Sequence, residues 1–505
     1  MRPQKFFSEQ RQQCGQAIVW FLATIAACCC AFALVYNVGQ VANEKEKTTN
    51  AADASALSGA LVEARILNFE AYTNRAMVAN EVTVAQFVSL DSWLRYDNEM
   101  LQYIALYTTP IPYLDDITQA VADASQEAID GFDEALPTML KVPEYTNYAL
   151  ELARTAVNDA GYAAPELIAE EIARENSSSF DGQDYQANLV PAFTPLMVQL
   201  NYDTWKAFTD DYSGDQRTNA ASVMENSRDV FTAKRGAGEL IDDLNTVLKL
   251  LGAGLVYPNF VKTSGSTQLK GFNHWEGQDS LDMTLTTPSF CLSSIVCEST
   301  NWVPAPIGYG RSDADSDDST GDNLCNVSPS TFNCTMAWQD GGEPVSWSGT
   351  SGDGIPNLRD LAQNLSKTDP CSKNNFSDSP SLRFVSAVQK AGAATATTQR
   401  LGMNTDIAAP EGSPNLKDNL QNGDNMTSIS QACTFFLRPD KTDKKAGLLA
   451  RQDGVHEYAS LYNPYWQARL TAPDDGFKQK LYVLIGSPGL DSMTPQPTSP
   501  DPQSD

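Results

Sequence analysis

Hydrophobic and polar positions along this chain follow three successive rhythms, and each predicts a different kind of structure. The first is a continuous apolar run. No charged residue falls between Gln12 and Asn43, and Ala17–Val38 is apolar almost throughout. As a helix those residues rise about 33 Å, close to the roughly 30 Å of a bilayer's hydrocarbon. A secretory leader is shorter and ends in a small-residue cleavage site, whereas here the small residues lie inside the run. Ala23, Ala27 and Ala31 recur four apart on one face. That stripe either lets a second membrane helix pack closely or simply fills a lipid-facing surface.

The second rhythm is helical. No proline occurs between Pro3 and Pro110, and Gly59 is the only glycine between Gly39 and Gly131, so long helices are permitted. Asn50–Thr108 is rich in alanine, with Ala52, Ala56 and Ala60 four apart. Phe87, Leu90, Leu94, Leu101 and Ile104 make an apolar face beyond them. Unbroken, this stretch extends the membrane helix outward by as much as ~90 Å, although Asn50 and Asp53 also supply a capping signal for a new start. Asn68, Asn74, Arg75 and Asn80 interrupt the face at near-helical spacing. They read as a hydrogen-bonded seam to a partner helix or as an ordinary solvated face. Pro110, Pro112, Pro137, Pro143 and Pro165 punctuate shorter helices through about Ala173. Asp215–Gly252 resumes the period with Ile241, Leu244, Leu248 and Leu251, a pattern that suits packing within a bundle.

The third rhythm begins after Pro258, where Gly, Ser, Thr, Asn and Trp rise and apolar runs shorten. Short strands are expected around Met283–Leu285, Leu382–Val388 and Ala432–Leu437, with long loops between them. The end, Gly489–Asp505, has the composition of a disordered tail. The predicted architecture is α+β. A cytoplasmic segment at 1–16 leads to a transmembrane helix at 17–38 and a helical region at 39–257. A disulfide-containing, loop-rich β region at 258–488 and an acidic tail at 489–505 complete it.

Charge sharpens this map. The chain carries a formal net charge of −28, while residues 1–43 hold three cations (Arg2, Lys5, Arg11) against the single acid Glu9. The exported bulk therefore repels nucleic acid and anionic lipid, and the most basic later stretch, Arg438–Lys445, is diluted by Asp440 and Asp443. Three cations before the span against Lys45 and Lys47 just after it favour an inside N-terminus. Cys14, Cys28, Cys29 and Cys30 lie before or within the span, and the other six (Cys291, Cys297, Cys325, Cys334, Cys371, Cys433) lie far downstream. An even number confined to the exported part predicts up to three disulfides, with fifteen pairings open. The spacings are too wide for a thiolate metal site.

The stretch "RQQCGQAIVWF", the apolar helix and "NAADASALSGAL" (Asn50–Leu61) resemble the N-terminal region of TadE/TadG-like proteins of bacterial Flp-pilus, or tight-adherence, assembly systems. The blocks "AYTNRAMVANEV" (Ala71–Val82) and "EYASLYNPYWQARL" (Glu457–Leu470) resemble the long TadG-like members. The resemblance implies an envelope protein that helps build or anchor a surface fibre. Its partners would be the membrane, other pilus-assembly or secretion proteins, and further copies through the transmembrane and Ala-rich helices. Prepilins of this group are cut after the glycine and carry Glu at the fifth mature position. Counting from Gln16 that position is Trp20, and no acid occurs between Glu9 and Glu44. Gly15 thus reads as a helix-entry residue and the anchor as permanent, in a single-pass protein of the inner membrane with a periplasmic bulk.

Few residues suggest chemistry. In "DADSDDSTGDN", Asp313, Asp315 and Asp317 alternate like the first ligands of a calcium loop, but Asp318 and Leu324 replace the expected Gly and Glu. Weak calcium binding competes with a solvated acidic loop. There are two histidines, His274 and His456, and no nucleophile elbow, HExxH pair or phosphate loop. His274 beside Trp275 reads as a packing residue. The expected role is structural, without cofactor or catalytic residues. A processed minor pilin is the alternative, or a tethered calcium-dependent adhesin or hydrolase.

Overall fold

A computed structural model describes residues 14–109, 113–176, 189–191, 195–210, 215–235, 257–286, 288–291, 294–298, 303–315, 345–347, 349, 352–361, 371, 381–391, 425–438, 451, 453 and 457–472. With no proline or interior glycine pair to stop it, the apolar run and the Ala-rich stretch form one helix, α1 (Cys14–Thr108), of 95 residues. At 1.5 Å per residue it is about 140 Å long. The capping signal at Asn50 does not end it, because the Asp53 carboxylate instead accepts a hydrogen bond from Ser430 far along the chain. Next comes α2 (Leu114–Ala160), which packs on α1. Pro137 and Pro143 lie inside α2 rather than breaking it. Each loses a ladder bond, but α2 is held along its length against α1.

Further elements follow in order: α3 (Ala164–Glu175), β1 (Leu189–Pro191), α4 (Pro195–Phe208), β2 (Thr209–Asp210), α5 (Asp215–Asn226) and α6 (Val230–Ala233). The β-rich part adds β3 (Tyr257–Lys270), β4 (His274–Thr286), β5 (Pro288–Cys291), β6 (Ser294–Glu298), β7 (Val303–Asp315), β8 (Val345–Ser346), β9 (Asp360–Leu361), β10 (Ser381–Ala391), β11 (Asn425–Phe436) and β12 (Trp466–Thr471). The first two expected strands fall inside β4 and β10 and the third overlaps β11 up to Phe436, one residue short of Leu437; the three strands are 13, 11 and 12 residues long rather than short. Of the helical stretch expected at Asp215–Gly252, α5 and α6 are present and residues 236–256 lie outside the described part.

Two four-stranded sheets form, ordered β3-β4-β7-β8 and β1-β10-β11-β12. Both pack on α1. Nearer the membrane run, Ala56 and Ala60 of α1 meet Phe384 and Ala432. Ala64 and Leu67 then join Trp205, Phe208, Phe436 and Trp466. Farther out, Met77, Val84 and Val88 pack with Trp275, Trp347 and, from α2, Leu136 and Leu140. The covered part of α1 is thus a central spar around which both sheets and α2 assemble, and its small residues set how closely they approach.

Two glycines show this. A Cβ at Gly59 would overlap the buried Phe384 ring, and one at Gly310 of β7 would overlap the backbone carbonyl of Ser92. A ring or backbone buried in this way cannot move aside cheaply. Gly310→Ala should therefore cost about 1–3 kcal/mol, seen as a lowered urea midpoint of the detergent-solubilised chain.

One disulfide is present among the described residues, Cys371–Cys433. Cys291 and Cys297 lie on the paired strands β5 and β6, while Cys325 and Cys334 lie outside the described residues, as do His456 and residues 489–505.

Candidate assembly helix and its polar spine

The membrane-length part of α1 is bare. Ile18, Val19, Trp20, Phe21, Leu22, Phe32, Val35 and Val38 are all exposed, as are Ala23, Ala27 and Ala31. Nothing else in the described chain covers this run, which is long and apolar enough to cross a membrane. Cover begins just before the Ala-rich stretch, with Thr48 buried and Glu44 paired with Lys390 of β10, and Ala51, Ala52 and Ser55 are then fully buried. Ser55 donates to the Ala169 carbonyl at 2.7 Å and shares a 2.7 Å hydrogen bond with Ser386 of β10.

Beyond that point α1 buries a line of polar groups. Glu63, Glu70, Asn74 and Glu81 fall at steps of seven, four and seven, which places them within about 20° of one line along the helix. All four are buried. Thr434 of β11 donates at 2.8 Å to the Ala60 carbonyl and also lies 2.9 Å from Glu63 Oε2. Asn158 of α2 donates to Glu70 at 2.7 Å. Asn74 donates to the carbonyls of Arg359 at 2.8 Å and Leu461 at 2.9 Å. Glu81 accepts from Asn147 of α2 at 2.8 Å and from Trp275 Nε1 at 3.2 Å. Burial pushes the carboxyls of both Glu63 and Glu81 up to about 8, against the partial opposition of these donors.

The polar residues singled out in the sequence join the same network. Asn80 donates to Asn147 Oδ1 at 2.8 Å, and Arg75 to Asn463 Oδ1 at 3.4 Å. Asn68 both donates to the Trp466 carbonyl and accepts from its N–H, each at 2.9 Å. Their partners all belong to this chain. The blocks Ala71–Val82 and Glu457–Leu470, nearly 400 residues apart, therefore meet across Asn74, Arg75, Leu461 and Asn463. Single-residue reading missed Glu63, Glu70 and Glu81, although their spacing with Asn74 was a usable signal.

The first three residues of the acidic stretch, Asp313–Asp315, end β7, and residues 316–323 lie outside the described residues. Asp313 and Asp315 are the final alternating residues of β7, where they pair with Glu276 and His274 of β4, and Asp317 lies outside the described residues. His274, Glu276 and Asp313 bring three donor atoms within 4.8 Å of one another. Their charges already have partners. Arg311 lies 2.7 Å from Asp313 and 3.3 Å from Glu276, Lys270 lies 2.8 Å from Glu276, and His274 lies 3.2 Å from Asp313. The arrangement reads as an ion-pair network that fastens the ends of β3, β4 and β7.

Residues 15–62 match the family model for Flp pilus-assembly TadE/G-like proteins. The chain carries a Tad segment. No curated protein and no solved structure matches the chain. The Tad segment coincides with the bare helix and the first covered turns of α1, and it stops one residue short of Glu63. It therefore comprises the part of α1 that no other described residue covers, together with the small residues, Ala52 to Ala60, on which the β10–β11 sheet rests.

Proposed function

We propose that this protein is a membrane-anchored structural component of Flp-pilus assembly, with its N-terminus in the cytoplasm, one span in the bacterial inner membrane and its folded bulk in the periplasm. The observation that carries this reading is the continuity of α1. The uncovered Tad segment runs without a break into the spar that organises both sheets. An anchor joined in this way fixes the position and orientation of the body relative to the bilayer, which suits a scaffold. His274, Glu276 and Asp313 are engaged in an ion-pair network with Arg311 and Lys270, which suits a structural role.

A processed subunit beginning at Gln16 is the second reading, favoured by the Gly15–Gln16 junction at the start of the Tad match. Three measurements decide. Carbonate extraction should leave the chain in the membrane. N-terminal sequencing from cells should find no chain starting at Gln16. Replacing residues 1–38 with a cleavable export leader should release the body and abolish surface pili. Full piliation with the released body would end the anchor reading, and a Gln16 start would establish the processed one.

A further inference from the structure

The sheet β1-β10-β11-β12 comes down α1 almost to the apolar run. Three contacts trace β11 along the helix: Ser428 with Thr49 at 3.1 Å, Ser430 with Asp53, and Thr434 with the Ala60 carbonyl at 2.8 Å. β10 follows in antiparallel register, with Val388 packed on Ala51 and Ala52 and Lys390 paired with Glu44. Glu44 is the first charged residue after the span. Along the unbroken helix Thr49 lies about 17 Å beyond Val38. Met426, two residues before Ser428 in β11, is about 6–7 Å nearer the span. The strand end therefore stands about 10 Å beyond the apolar run. Headgroups extend about 5–7 Å past the hydrocarbon on each side, so this end of the sheet meets the outer limit of that layer.

We propose that the β10–β11 end of the sheet rests on the phospholipid headgroups beside the span and forms a second membrane contact. The proposal deepens the anchor reading and rests on it. Charge suits the contact. Lys45, Lys47 and Lys390 outnumber Glu44 and Glu46 at this level, although the whole chain carries −28. The Lys47 side chain is 58% exposed, with its amine 3.1 Å from Glu44. Such a local balance presents amines to lipid phosphates and spares the bilayer the long-range repulsion of the acidic body. The contact also has a mechanical consequence. A lone span tilts by anything up to about 40°, and a second contact packed against the same helix restricts that freedom. The far end of α1, Thr108, lies about 105 Å beyond Val38, so a small change of tilt there is a large displacement.

The test uses the full-length chain in phospholipid vesicles, a fraction of whose headgroups carry a nitroxide, which quenches fluorescence on close approach. A coumarin amino acid replaces Met426 or, as a control, the exposed Gln119, which neighbours Thr118, itself 2.6 Å from Thr108. The nitroxide should remove at least half of the emission from position 426 and less than a tenth of that from position 119. Seven helix-forming residues inserted between Asn43 and Glu44 lift the body by about 10 Å and turn it by only about 20°. Quenching at position 426 should then fall to the control level, with the melting temperature unchanged. Residues 392–424 join β10 to β11 at this end. If they stand between position 426 and the lipid, no quenching will be seen. No quenching, or quenching indifferent to the insertion, would overturn the proposal. Flotation of the vesicles separates the two readings. A chain that floats but is not quenched at position 426 keeps its anchor and lacks the second contact. A chain that does not float overturns the anchor reading itself.

Discussion

Glu63→Gln should be more stable than the native chain at pH 8, equal to it at pH 4, and should lose one decline in stability between pH 4.5 and about 8. The geometry at Glu63 explains why. The Thr434 hydroxyl has one hydrogen and two acceptors within reach, the Ala60 carbonyl at 2.8 Å and Glu63 Oε2 at 2.9 Å. If it donates to Ala60, Glu63 must itself supply the hydrogen between the two side chains. A protonated Glu63 does so, and burial raises its carboxyl from 4.5 to about 8. The unfolded chain ionises near the ordinary value, so between pH 4.5 and 8 the folded state holds a proton that the unfolded state has lost. The associated stability is therefore complete below pH 4.5 and is lost as pH rises to 8, a swing of about 5 kcal/mol at most.

Glutamine keeps the shape and a donor toward Thr434 without the ionisation. Urea midpoints of the detergent-solubilised chain at pH 4, 6 and 8 should fall with pH for the native protein and fall less for Glu63→Gln. Glu81 acts in the same direction over the same range, with Asn147 and Trp275 as its donors and Glu144 adding to the upward push. The double glutamine variant should therefore be the flattest of the series. Parallel curves for native and variant chains would show that Glu63 is already ionised in the fold.

These two carboxyls also mark where sequence reading stops. The membrane run, the Ala-rich helix and strands at 382–388 and 432–437 follow from local composition and period, because burial against lipid or a sheet imposes a regular pattern on neighbouring residues. A single acid on a helix carries no such mark, and only the seven- and four-residue spacing of Glu63, Glu70 and Glu81 with Asn74 points to a shared buried line. Glu63 and Glu81 look like solvated positions until Thr434, Asn147 and Trp275 arrive from distant parts of the chain. Asp313 and Asp315 are ambiguous for a different reason. A two-residue period of acids fits the ligands of a loop and one side of a strand equally well, and the pairing of Asp313 with Glu276 and Asp315 with His274 decides for the strand. Asn74 and Arg75 could be read as seam residues, but whether the seam faced another protein or this one depended on Leu461 and Asn463.

Removing the Cys371–Cys433 bond, by reduction or by replacing both residues with alanine, should destabilise the chain by about 4 kcal/mol, since the crosslink spans 62 residues and loop-closure entropy grows slowly with length. The physical need is local. β10 and β11 pair over eleven residues in antiparallel register, yet residues 392–424 separate them in the chain. Two such strands must find each other without a tight turn, and the bond closes the loop that contains both β10 and most of β11. Cys433 is wholly buried and stands opposite Arg383 and Arg469 in the sheet. Arg469 in turn donates to the Cys371 carbonyl at 2.5 Å, so the same bridge also ties β12 to residue 371. Trp466 packs with Phe208 and Phe436 in the core beside that sheet and supplies an optical probe. Its fluorescence should unfold at markedly lower urea in the double-alanine variant, while helical circular dichroism from α1 should be retained to higher urea. An unchanged midpoint would mean that the packing of β10 and β11 on Ala56 and Ala60 suffices to hold the sheet, leaving the covalent link without a stabilising role.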